Sequence, residues 1–228
     1  YKVLTLTDCF EYDEQTYNYY GSYSFTGTKI EQAVVTAILN VTTDDKVVVD
    51  MIKGNNEQDY SSLKTLLENN AYQVNEVSLA TGDFDSNAKI AIMYAPSVDL
   101  DEKIVEKLST WLSNDGKYGR SLIYVPTADM GEMPNLDDFL KEWGMSIDRG
   151  YVFETDESTL VSASSPYAFT VSYGDYYKDN LKNSKIPVVV SESHAVNITD
   201  ENTAHALLKT SDKAGVLPID ADKNWDYK

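Results

Sequence analysis

Between residues 45 and 155 the sequence alternates short apolar runs with amphipathic stretches, and this alternation constrains the fold more than any other feature of the chain. Lys46 to Ile52, "AYQVNEVSL" from Ala71, "AKIAIMYAP" from Ala88 and "RSLIYVP" from Arg120 each read as a strand. Tyr60 to Asn69 separates the first two and places Leu63, Leu66 and Leu67 on one helical face. The segment after Asp99 spaces Ile104, Leu108, Trp111 and Leu112 as a second helix, which Gly116 terminates. Pro134 to Trp143 reads as a third, with Leu136, Phe139, Leu140 and Trp143 inward and Gly144 closing it. Upstream, "KIEQAVVTAILNVT" predicts a helix ending near Asn40, with Ile30, Val34, Ala37 and Ile38 as its apolar stripe. Thr28 with Glu31, and Asp99 with Glu102, have the spacing of capping boxes.

Strands that are apolar throughout and separated by amphipathic helices belong to a parallel sheet covered on both faces. The expectation is therefore an α/β fold whose core, residues 45–155, is a doubly wound, mainly parallel, flavodoxin-like sheet with β-rich N- and C-terminal additions. Residues 1–44 would supply a strand, a Tyr-rich segment and a helix packing on that core. Residues 156–228 read as a β-rich extension ending in the polar, frayed tail "IDADKNWDYK". Right-handed crossovers would line the loops after each strand along one crevice, beginning at Lys53, Pro96 and Pro126. On topology alone this nominates Gly54, Asn55, Asn56 and Glu57, with Pro96, Ser97, Pro126 and Asp129 across from them. Gly54 permits a tight turn. Asn56 and Glu57 would hydrogen-bond a polar ligand near the positive end of the following helix.

Charge and motif content narrow the chemistry. With 37 acidic against 19 basic residues and a formal charge of -18, the chain disfavours a nucleic-acid partner and an anionic lipid surface. Cys9 is the only cysteine, so neither an internal disulfide nor a thiolate metal cluster can form. No GxGxxG and no GxxxxGK[ST] follows any strand, which argues against a dinucleotide or nucleoside triphosphate; no cofactor is expected. There is no GxSxG elbow, and Ser97 has no evident base, since His194 and His205 are the only histidines and lie far along the chain. Ser97 is read as a turn residue. Asp83, Asp85 and Asn87 are spaced like the start of a calcium loop, as are Asp220, Asp222, Asn224 and Asp226. Ala88 and Trp225 stand where such a loop needs glycine, so both stretches are read as solvated turns and no metal is expected. No apolar run is long enough to span a membrane. A chain that begins at Tyr1 without methionine reads as an excised or processed segment, with any anchor helix outside it.

The order of features resembles the soluble domain of gliding-motility-type auxiliary subunits of ABC transport systems. The resemblance is carried by "KIEQAVVTAILNVT", an apolar strand, "GNNEQDYSSLKTLLENNAYQVNEVSL", a strand ending in Pro96, "DLDEKIVEKLSTWLSNDGK" and "PNLDDFLKEWGMSID". It spans residues 28–155, with a fainter echo in "LLKTSD" near residue 208. Where that family usually has a Gly-His-Gly-Glu turn, this chain has Gly54-Asn55-Asn56-Glu57: the glycine and glutamate persist and the histidine does not. The resemblance implies the class I glutamine amidotransferase-like variant of the flavodoxin-like sheet. It also implies display on the extracytoplasmic face of a bacterial membrane, tethered by helices outside this chain, with ABC permease and ATPase subunits as partners. Its fold can host a cysteine nucleophile, but this core has none, and the expected function is a non-catalytic accessory domain recognising a transported substrate or partner subunits. Two other readings stand beside it. One is a hydrolase or transferase using the same crevice with Glu57 or Asp129 as base. The other is a module binding cell-surface glycan through the Tyr-rich segment Tyr12–Tyr23.

Overall fold

A computed structural model describes residues 3–127, 130–183, 185–222 and 225. The chain divides into two compact units, Tyr1–Tyr94 with Lys107–Val125, and Ala95–Glu106 with Pro126–Lys228. The first unit opens with α1 (Leu6–Cys9), β1 (Phe10–Tyr12), α2 (Glu14–Tyr20) and β2 (Phe25–Thr28), in which β1 and β2 pair antiparallel. Then follow α3 (Ile30–Thr42), β3 (Val48–Ile52), α4 (Ser61–Asn69), β4 (Gln73–Val77), β5 (Ala88–Tyr94), α5 (Glu102–Ser113) and β6 (Ser121–Val125). The residues of α5 before Lys107 belong to the second unit.

β3 to β6 form one parallel sheet in the order β4-β3-β5-β6, and all five residues of the interior strand β3 are buried. Alternate residues point to opposite faces. Val49, Met51 and Ile92 form the core of one face, against Tyr60, Leu63, Leu67, Tyr72 and Val74. Leu63 and Leu67 are four apart and so share the inner face of α4, whereas Leu66 is turned out and 54% exposed. In α5, Leu108, Trp111 and Leu112 are buried. The Trp111 ring stacks on Phe84 at 4.5 Å, and the Arg120 guanidinium lies over it at 5.3 Å while donating to the Trp111 carbonyl. The Lys107 ammonium ties the β4–β5 connection to α5 by donating to the Leu79 and Gly82 carbonyls and pairing with Asp83 at 2.9 Å.

The capping box expected at Thr28 is not formed. Lys29, not Thr28, is the N-cap of α3 and makes no side-chain cap bond. The Asp101 carboxyl accepts from the Lys103 amide at the start of α5, and Asp99 is spent on the following helix.

That helix, α6 (Pro134–Glu142), opens the main run of the second unit. Asp99 caps it: Oδ2 accepts from the Asn135 amide at 3.0 Å and Oδ1 from the Leu136 amide at 3.1 Å, two of the donors a helix leaves unpaired at its start. Leu136, Phe139 and Leu140 are buried, and α6 stops at Gly144, whose φ of 77° a side chain rarely adopts. A Cβ at Gly144 would collide with the Thr203 hydroxyl. The remaining strands are β7 (Met145–Ile147), β8 (Gly150–Phe153), β9 (Leu160–Ser162), β10 (Ser165–Tyr173), β11 (Val188–Ser191), β12 (Val196–Ile198), β13 (Leu208–Lys209) and β14 (Gly215–Pro218), with the short α7 (Asp175–Lys178) after β10. β7 pairs with β12, β8 with β14, and β10 with β9, β11 and β13, all antiparallel. Phe169 on β10, opposite both Leu160 and Val190, is fully buried.

The expectation of a doubly wound, flavodoxin-like fold, and of its class I glutamine amidotransferase-like variant, is thereby overturned. The parallel sheet stops at four strands, and the other strands make small antiparallel sheets of two or four strands. The physical reason lies beyond β6. A parallel strand needs a crossover of a dozen or more residues, usually a helix. Residues 126–144, with α6, are long enough for such a crossover, but the β7 they lead to has only 3 residues and pairs antiparallel with β12, not with β6. Among the described residues further on, the helix α7 has 4 residues, too few to cover a sheet face.

Candidate functional site

The turn after β3 is braced by its own glutamate. Glu57 accepts from the Gly54 amide through Oε2 and from the Asn55 amide through Oε1, each at 2.9 Å. These bonds close Gly54-Asn55-Asn56-Glu57 into a ring of backbone donors around one carboxylate, the charge-assisted kind that is shorter and stronger than a neutral pair. Gly54 has φ 115°, open only to glycine, and a Cβ there would sit 3.2 Å from the Ser78 hydroxyl. Asn55 is buried at 6% exposure, while Asn56, at φ 54°, uses the left-handed region asparagine tolerates and is exposed.

Beside the turn, Lys53 and Lys64 converge on Glu76 at 3.1 and 2.9 Å. The hydrogen bond from Lys64, then that from Lys53, holds the Glu76 carboxyl below its ordinary range. Tyr60 packs on the Val49–Met51 core; burial first, and the Glu76 charge next, pushes its phenol up.

One polar constellation escaped sequence reading. Asp50 lies inside "VVVDMI" and is fully buried in the middle of the sheet. Its Oδ2 accepts from the Asp85 amide at 2.7 Å and its Oδ1 from the side-chain amide of Asn75, the residue beside it in β4, at 3.1 Å. Asp85 in turn accepts from the Asn87 amide at 2.8 Å. Asp83 and Asp85, which resemble a calcium loop in sequence, are thus used in an ion pair with Lys107 and in fastening the β4–β5 loop to β3. The acid breaking an otherwise apolar strand was the available signal, since a buried charge-bearing group must find partners.

Of the other nominated residues, Pro96, Ser97 and Pro126 belong to the second unit, and Asp129 lies outside the described residues. Pro96 is fully buried and serves the core. The second unit carries a groove of about 630 Å³ walled by Val152, Phe169, Val190 and Val216, with His194, Lys209 and Ser211 at its polar side. His194 stacks on Tyr151 at 5.8 Å. Ser211 is held by Glu154, itself 1% exposed, whose Oε1 accepts from the Ser211 hydroxyl and the Thr155 and Asp156 amides. Nothing in the sequence pattern singled out Glu154 or this groove. In the N-terminal segment Tyr17 stacks on Tyr23 at 4.6 Å and Tyr12 meets Tyr23 edge-on at 5.1 Å, while Tyr19 and Tyr20 are 83% and 74% exposed.

Compared with known proteins, the chain matches no family model and no curated protein sequence. Among solved structures it is similar to the mmIFT52 N-terminal domain, with a TM-score of 0.53 and 12% identity over 71% of this chain and 72% of that one. At that identity the likeness is one of fold alone.

Proposed function

We propose that this chain is a non-catalytic accessory domain of an ABC-type transport system, displayed outside a bacterial membrane, which binds a transported substrate or partner subunits through the turn Gly54–Glu57. The observation that carries binding over catalysis is the state of Glu57. Both of its oxygens accept backbone N–H bonds within the turn, so the acid acts as a brace, and use as a general base would cost the turn its closure. Bracing fixes the turn and its exposed Asn56 before a partner arrives, which lowers the ordering cost of binding. The assignment to transport is supported by the order of features between residues 28 and 155 and by the retained glycine and glutamate of the turn.

The test is an Asn56→Ala, Glu57→Ala double variant expressed in place of the native protein, with transport measured in cells. The expected result is lost transport with a normal protein level and an unchanged circular dichroism spectrum. Full transport at a normal protein level would remove the turn as the site. Neighbouring genes without an ABC ATPase or permease would remove the transport assignment itself.

A further inference from the structure

α3 carries more apolar than polar residues, and in the structure its bulky apolar side chains lie largely in water. A surface helix ordinarily turns its apolar stripe to the core. Here the inward face is the small and polar one: Ala33 is buried, and Asn40 donates to the Asn69 carbonyl at 3.1 Å. The outward side carries Ile30, Val34, Val35, Ile38, Leu39 and Val41, between 40% and 64% exposed. Ile30, Val34, Ala37 and Val41 fall at alternating four- and three-residue spacing, the seam along which two helices pack.

We infer that this face is a two-fold interface with a second copy of the same chain, the two α3 helices packing antiparallel. Two observations favour that occupant. The first is area. The six side chains leave on the order of 500 Å² of apolar surface in water, at the upper end of what a monomer exposes in one patch. That is more than half of the ~800 Å² that each partner of a standard interface contributes.

The second is charge. An antiparallel pair centred between Val35 and Thr36 sets Ile30 opposite Val41 and Val34 opposite Ala37. It also brings Lys29 of one copy to the helix end of the other, where Asp44 and Asp45 follow. None of these three side chains makes an ion pair among the described residues. The face therefore complements itself in apolar surface and at both charged ends, as a two-fold interface must. A lipid surface fits less well, because the helix offers no rim of basic residues and the whole chain is strongly acidic.

Sedimentation equilibrium of the full 228-residue chain tests this. The expected result is a concentration-dependent monomer–dimer equilibrium. A Val34→Glu, Ile38→Glu variant should weaken dimerisation by more than about tenfold. Lys29→Glu should weaken it several-fold, and adding Asp44→Lys with Asp45→Lys to Lys29→Glu should restore it, a rescue that altered folding would not produce. A wild-type chain that stays monomeric up to roughly 1 mM overturns the inference. So does a dimer insensitive to Val34→Glu, Ile38→Glu, a failed charge-swap rescue, or a monomer that instead co-sediments with phosphatidylcholine vesicles through α3.

Discussion

Replacing Asp50 by alanine should be among the most damaging single changes available in the first unit. The substitution removes two acceptors from a fully buried site, leaving the Asp85 amide without its partner and the Asn75 side-chain amide with only its longer bond to Asp85 at 3.4 Å. A buried donor left unpaired costs about 1–3 kcal/mol, so the two together come to about 3 kcal/mol. For a chain of this size each kcal/mol is worth roughly 2–4 °C, which places the expected fall in melting temperature at about 6–12 °C. Asp50→Asn keeps an acceptor for the Asp85 amide and should cost only about 1 kcal/mol. In a double-mutant cycle, Asp50→Ala and Asn75→Ala should show a coupling of about 1–2 kcal/mol, because they share one bond. Thermal unfolding followed by circular dichroism reads the global effect, and hydrogen exchange at the Asp85 amide reads the local one. An Asp50→Ala variant melting with the wild type, with the Asp85 amide equally protected, would refute the reasoning. It would mean that the cost of burying the carboxyl group cancels the bonds it makes.

Two further outcomes follow from the geometry. Asp99→Ala should destabilise by about 1 kcal/mol through the lost α6 cap, while Asp99→Asn should retain most of it; denaturant unfolding measures both. Glu76 has its carboxyl held down by Lys64 and Lys53, so its contribution is complete above the ordinary value of 4.5 and is lost as the pH falls past that value toward its lowered one. Glu76→Gln should accordingly flatten the acid side of the stability–pH profile, and an unchanged acid limb would show that the two lysine pairs carry no net stability.

The parts of the fold legible in the sequence are those fixed by local periodicity. Leu108, Trp111 and Leu112 announce the buried face of α5 because 3.6-residue spacing puts them on one side whatever the sheet does. The stripe Ile30, Val34, Ile38 obeys the same periodicity and lies outside, since periodicity tells which residues share a face and not what that face meets. Asp99 shows a second limit. Its spacing from Glu102 matches a capping box, but the amides of Asn135 and Leu136 won the carboxyl, a competition between segments that no short window contains. The strand order was out of reach for the same reason: four apolar runs mark strands, whereas the antiparallel pairings of β7 and β8 depend on partners 49 to 68 residues away, such as Ile147 with Val196 and Gly150 with Pro218. At the turn, Gly54 and Glu57 stood out in sequence, but the use of Glu57 as an internal brace follows from backbone angles at Gly54 and Asn56.

The Asp99 cap also bears on how the protein is made. A ribosome delivers Asp99 36 residues before the Asn135 amide that it holds, and in the interval the chain lays down the segment Lys107–Val125 of the other unit. The second unit is therefore not a bead that can close once the first is finished. Its earliest part, Ala95–Glu106, must wait, tethered at both ends, for α6 to emerge. A nascent chain arrested at Val125 would carry that segment without the α6 amides it holds, and joining the two carries a loop-closure cost that strengthening either unit's local helices would not remove.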